Sequence, residues 1–379
     1  MKKAFTIGLA TALTVLSAAT PAMARSAGDG FDGSGWSRPV CQTVAGDGSV
    51  TYAWNDGKKI ASTSEVLGPI VYTTGLAALD RPNQLLAMSN RQLLASKDAG
   101  CTWNVAGEVK GSSIELVAAP GCRAYAWDRD GNLALATPEG VTPLTGPGGD
   151  LIGIGVDRGD GDRLRTSDLQ GQLRESRDGG RTWQPVGVPA WSPSNTRMSY
   201  TAVFDPHDLD HVVLGASDIS ASDTGARVTF DGGRTWAAAA GLAEDGDRVN
   251  VFSAAISPAA GNVVWAMGLN LAELDAGAPS GGRHIYRSDD GGRNFTPAVD
   301  QDAAVTIPNG PLLAPHPKDA DVLYFDFGTG WAGIGTDIYK YESRKDRVTI
   351  NHNAYDRVTS IAFNPAHPSV MYLGVSEES

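Results

Sequence analysis

His207 and His211 stand four residues apart, with Asp208 and Asp210 between them. On a helix that spacing would set two imidazoles on one face, as a metal pair requires. Pro206 immediately precedes them and predicts a turn, where helical spacing has no meaning. His207, His316 and His367 all fall in Pro-containing turns, so they are expected on one face of the molecule as polar turn residues. Asp157, Asp160 and Asp162 have the composition of a calcium loop but lack its spacing and its terminal bidentate Glu. They read as a solvated turn, as does the acidic run from Glu244 to Asp247. No Gly-x-Ser-x-Gly elbow, His-Glu-x-x-His helix or Cys-x-x-Cys pair occurs. Glycoside hydrolysis needs two carboxylates about 5–10 Å apart. The 43 acidic residues could contain such a pair, yet none stands out from its surroundings. The reading therefore names no catalytic residue, metal site or cofactor.

One octapeptide, by contrast, occurs four times. Ser96, Asp98, Gly100 and Trp103 mark the first copy; Ser176, Asp178, Gly180 and Trp183 the second. Thr229, Asp231, Gly233 and Trp236 mark the third; Ser288, Asp290, Gly292 and Phe295 the fourth. Their chemistry is that of a tight hairpin. A short hydroxyl side chain ends one strand, and the carboxylate accepts hydrogen bonds from the turn's own N–H groups. Glycine supplies a positive φ, and the aromatic ring is buried between neighbouring sheets. An active site is normally present once, so four near-copies point to a structural clamp.

The aromatic positions lie 80, 53 and 59 residues apart, which fits a unit of 40–60 residues with one octapeptide missing after the first. Paired β-runs around a Pro turn repeat with the same period: Ala202–Pro206 with Val212–Gly215, Ala255–Pro258 with Val263–Trp265, Leu313–Pro315 with Val322–Tyr324, and Ile361–Pro365 with Val370–Gly374. Val50–Gly57 and Arg123–Gly131 share a further pattern. Laid end to end, these give units at 67–109, 110–148, 149–190, 196–243, 247–302 and 303–356. Residues 357–379 form a last inner hairpin, completed by strands from about 36–66. The predicted fold is all-β, a seven-bladed β-propeller closed by pairing of N- and C-terminal strands. The longer excursions, 215–228, 268–283 and 326–336, are candidate contact loops.

Residues 1–24 read as a secretory signal peptide: Lys2-Lys3, an apolar run and Ala22-Met23-Ala24 before the cut. Residues 25–35 are a predicted mobile leader, and 36–379 a single propeller domain. Removal of the signal peptide takes two lysines and no acid, moving the formal charge from −12 to −14. Such a chain is a poor partner for nucleic acid or an anionic membrane. In an oxidising compartment one pair among Cys41, Cys101 and Cys122 is expected. Cys101 with Cys122 is the chosen pair, because both fall at strand-connecting turns in neighbouring repeats; the bridge would add about 3 kcal/mol.

The octapeptides resemble Asp-boxes, also called BNR repeats, over about 60–300, and the hairpin repeats extend the likeness to 379. The family includes sialidases, xyloglucan-active glycosidases, sortilin-type receptors and photosystem II assembly factors. A sialidase would carry Arg-Ile-Pro near its start; here the nearest dipeptide is Ile307-Pro308, after Thr306. In length, leader and acidity the chain is most similar to secreted members that act on an extracellular protein. That resemblance implies a monomeric, non-catalytic binder of a thermolysin-like neutral metalloprotease whose autolysis it promotes. An Asp-box glycoside hydrolase is the alternative.

Overall fold

The computed structural model describes residues 35–40, 54–55, 58–59, 66–67, 71–72, 75–191, 198–217, 225–242, 249–328, 336–353 and 358–375. The signal peptide, nearly all of the leader, Cys41 and Glu244–Asp247 lie outside them. Within them the chain forms seven four-stranded sheets. Six are built from consecutive antiparallel strands, within 75–108, 115–144, 151–186, 198–238, 249–300 and 313–353. The seventh joins Val358–Phe363 and Val370–Val375 to two N-terminal pieces, Val66–Leu67 and Val71–Tyr72, which run parallel to Val370–Val375. These donor strands begin only at Val66, the end of the expected 36–66, and run on past it. Trp54–Asn55 and Lys58–Lys59 pair with each other instead.

The burial pattern follows from sheets packed face to face around an axis. Second strands have a neighbouring sheet on both sides, so Val264–Asn270 is buried at every position. Such strands read as continuous apolar runs rather than alternating ones. The outer strand of the fourth sheet is short and wet: Ala237–Ala238 is exposed, which limits the free edge. Each hydrophobic core lies between consecutive sheets. Trp265 and Ile285 of the fifth pack with Phe325 and Tyr339 of the sixth. Leu76 and Leu85 of the first pack with Val370 and Tyr372 of the seventh, and Trp36 joins them. Close approach demands glycine in the third sheet: a Cβ at Gly155 would collide with the Phe204 ring of the fourth.

First strands of successive sheets lie side by side, as Leu151–Val156 does with Met198–Asp205. The turn after each first strand and the turn between third and fourth strands share one end of the molecule. A hydrogen bond ties them in four sheets: Ala99 N to Asn83 O, Gly179 N to Asp162 O, Gly232 N to Asp210 O and Gly291 N to Asn262 O, all 2.8–3.0 Å.

Candidate functional site

The octapeptides are the outer hairpin turns of the first, third, fourth and fifth sheets. In the fourth, Thr229 Oγ1 donates to Asp231 Oδ1 (2.8 Å) and accepts from Gly233 N (2.9 Å), a buried bond. Asp231 accepts from Thr235 N (2.9 Å) and Thr235 Oγ1 (2.6 Å), both exposed. The same set recurs at Ser96 and Asp98, Ser176 and Asp178, and Ser288 and Asp290. The buried N–H is thus held by the hydroxyl and not by the carboxylate. Gly100, Gly180, Gly233 and Gly292 have φ of 89°, 85°, 81° and 91°, which a side chain would strain. Hydrogen bonds from Thr182 push the Asp178 carboxyl down to about 2. Burial alone would raise Asp98, Asp231 and Asp290, but their hydrogen bonds prevail and hold all three below the usual carboxylate range.

Each aromatic reaches back to the preceding sheet. Trp183 Nε1 donates to Thr145 O (3.0 Å), and Trp236 Nε1 to Val188 O (2.9 Å). Phe295 is buried, and its N–H donates to Ala240 O (2.8 Å). Trp103 packs into the core between first and seventh sheets. These carboxylates lie in separate turns, so they form no common pocket.

The histidines divide. His207 is exposed at the turn between Met198–Asp205 and Asp208–Ser217. His211 lies on the second of those strands rather than in the turn. It is buried, stacked on Phe230 (centroids 4.6 Å apart), with Nε2 at 2.8 Å from Gly291 O of the next sheet. The two rings therefore do not form a metal pair, and no metal-holding cluster occurs among the described residues. The Asp157–Asp162 turn is self-satisfied. Asp157 accepts from Gly159 N (2.8 Å) and pairs with Arg163 (3.0 Å), while Asp162 pairs with Arg123 (2.9 Å).

Two buried charge clusters escaped the sequence reading. Glu175 lies between Arg165 and Arg163, and Arg165 also reaches Asp210 of the next sheet (2.8 Å). Burial would raise Glu175, but the two guanidiniums hold it below the usual carboxylate range. In the fifth sheet His284 is buried between carboxylates, Nδ1 at 2.7 Å from Asp300 and Nε2 at 2.8 Å from Glu273. Ser280 Oγ donates to Glu273 (2.8 Å) and not to the imidazole, so the group is no Ser–His–acid nucleophile. It anchors the 268–283 excursion, which holds a short helix, Leu271–Asp275, capped by Asn270. The Asn270-x-x-Glu273 spacing is a capping-box signal that could have located this helix. Of the other two excursions, Gly215–Ser217 and Asp326–Gly328 continue strands, and 218–224 and 329–335 lie outside the described residues.

The Cys101–Cys122 pairing is corrected: Cys122 is a free, buried thiol, and Cys101 is disulfide-bonded elsewhere. Cys122 Sγ turns inward to Gln84 Oε1 (2.7 Å), within the core between first and second sheets. Cys101 sits on a half-buried outer hairpin. Neighbouring repeats do not bring an inner and an outer turn into sulfur contact.

A cavity of about 460 Å³ opens on the axis at the octapeptide end. All seven sheets contribute to its wall. Leu76, Leu116, Ala362 and Phe363 form apolar walls, and Pro258, Pro317 and Pro365 the rim. Among the described residues, Arg158, His207 and Lys318 are the lining residues of basic type, and none is Asp or Glu. This is a concave, preformed site of ligand-binding size.

No protein-family model matches the chain. Among solved structures, a GH74 enzyme from Niastella koreensis superposes with a TM-score of 0.54 at 15% identity, covering 86% of this chain and 56% of that one. An ancestral GH74 enzyme gives 0.53 at 16%, covering 81% and 44%. This chain thus spans about half the length of those enzymes. YCF48 bound to D1 peptide gives 0.54 at 13%, covering 86% and 97%. At such identities the likeness shows the propeller fold alone. Dispase autolysis-inducing protein of Streptomyces mobaraensis is 45% identical over 367 residues, 97% of this chain and 96% of that protein. At that identity along nearly its whole length, the chain belongs to the family of the dispase autolysis-inducing protein.

Proposed function

We propose that this protein is a secreted, monomeric, non-catalytic propeller that binds an extracellular thermolysin-like metalloprotease and promotes its self-cleavage. The observation that carries the reading is the 45% identity, over 97% of the chain, to a protein named for inducing dispase autolysis. Physical features agree with a binding role. Inner and outer turns tied by hydrogen bonds at one end give a rigid platform, and preorganised surfaces bind without a large ordering cost. The axial cavity is concave, and no described residue of its lining carries a carboxylate. The four octapeptide carboxylates are engaged by their own turns.

The test is to mix the purified protein with a thermolysin-like protease and follow protease fragments by electrophoresis. Accelerated fragmentation of the protease, with this protein intact, is expected. Unchanged protease would refute the partner. Release of sugars from a glycan panel would support the glycoside hydrolase reading instead.

A further inference from the structure

We propose that the axial cavity is the docking site for an acidic, extended segment of the partner polypeptide. In this assignment Arg158, His207 and Lys318 meet its carboxylates, and Leu76, Leu116 and Phe363 receive its apolar side chains. The inference rests on the binding role proposed above and deepens it.

Charge is the first argument. The chain carries 43 acidic against 31 basic side chains, a formal charge of −12. A lining that, among the described residues, holds Arg158 and Lys318 and no Asp or Glu is therefore a local reversal. Low-dielectric walls around a recessed charge focus its field, so the mouth attracts carboxylates more strongly than the same groups on open surface. The acidic exterior repels a long polyanion such as nucleic acid, while a short acidic segment meets only the mouth.

Donor chemistry is the second argument. Three rim residues, Pro258, Pro317 and Pro365, have no backbone N–H. The lining thus favours side-chain contact with charge and apolar groups over strand addition to a backbone edge.

Geometry is the third. The three basic residues stand on braced turns. Arg158 N donates to Pro206 O (2.9 Å), tying the turn of Arg158 to that of His207. Lys318 N donates to His316 Nδ1 (3.2 Å), and the His316 ring lies edge-on to Phe363 with centroids 6.0 Å apart. The turn of His207 is fixed in turn by Gly232 N on Asp210 O (3.0 Å). A volume of about 460 Å³ admits a few residues of extended chain and not a folded element.

The test uses fluorescence anisotropy with the full chain and two labelled hexapeptides, one alternating leucine with aspartate, the other leucine with asparagine. The aspartate peptide is expected to bind about tenfold more tightly than its asparagine counterpart, and binding should weaken as salt is added. The double reversal Arg158→Glu with Lys318→Glu should abolish that preference, while Lys110→Glu, an exposed site away from the cavity, should leave it unchanged. Equal binding of both peptides, no binding of either, or an unaffected double variant would overturn the inference. A parallel titration with active-site-blocked protease separates this inference from the broader reading. Protease bound equally by wild type and double variant removes the docking site and keeps the proposed partner. Discrimination between peptides without any protease binding keeps the docking site and removes that partner.

Discussion

Removing one hydroxyl from an octapeptide should cost more than removing its carboxylate. Thr229 is 1% exposed, and its Oγ1 is the acceptor for the buried Gly233 N–H at 2.9 Å. Thr229→Val keeps the shape and puts a methyl group where the acceptor was. The N–H is then left without a partner and without water, and the hydroxyl's bond to the Asp231 carboxylate is lost as well. Together these cost about 2–3 kcal/mol. Asp231→Ala instead releases Thr235 N and Thr235 Oγ1, which are exposed and rehydrate. Its cost is about 0.5–1.5 kcal/mol. For a domain of this length, unfolding as one unit, those values correspond to falls in Tm of about 3–4 °C and about 1–2 °C. Thermal unfolding followed by tryptophan fluorescence measures both. Thr229→Ser should restore most of the loss, because serine holds the equivalent place at Ser96, Ser176 and Ser288. A larger effect for Asp231→Ala, or none for Thr229→Val, would refute the division of labour between hydroxyl and carboxylate.

Acid should loosen the hairpins late. Asp178 and Glu342 titrate near 2 in the folded protein against ordinary values of 3.8 and 4.5. Depressed carboxylates stabilise above the unfolded value, and that contribution is lost as pH falls through the folded one. Unfolding midpoints should therefore decline between about pH 4.5 and 2, and a midpoint flat across that window would contradict the assignment. Alkylation of the native, unreduced protein should leave Cys122 unmodified until denaturant is added, because the thiol is buried and burial raises its pKa. Peptide mapping should find Cys101 in a disulfide that excludes Cys122; a Cys101–Cys122 peptide would reverse the correction. Trp36→Ala should destabilise by about 3–4 kcal/mol in denaturant titrations, since Trp36 is buried against both first and seventh sheets. An unaltered midpoint would show that this N-terminal segment is not part of the core.

The parts of the fold that sequence displays are local ones. The hydroxyl and carboxylate bonds of an octapeptide span at most four residues, as between Asp231 and Thr235, so composition and spacing describe them. The Pro-turn hairpins are equally local, and their period sets the number of sheets. Long-range pairings have no such signature. The parallel contact of Val66–Leu67 with Val370–Met371 depends on how the ends meet, and no local pattern marks where it begins. Cys122 bonds to Gln84, and nothing in cysteine spacing distinguishes an inner turn from an outer one. Pro206 marks the turn near His211, but the ring is fixed by Phe230 and Gly291 of other segments as well as by Asp205. The axial cavity is assembled from single residues of seven turns and strands, so no motif announces it.

The proposed role is binding without turnover. The most direct measurement is the initial rate of protease fragmentation against the concentration of this protein, at fixed protease, with and without blockade of the protease active site. The account predicts a rate that rises and then saturates with this protein's concentration, and no fragments when the protease is blocked. Fragments of blocked protease would show that this chain cuts peptide bonds itself and would contradict the claim.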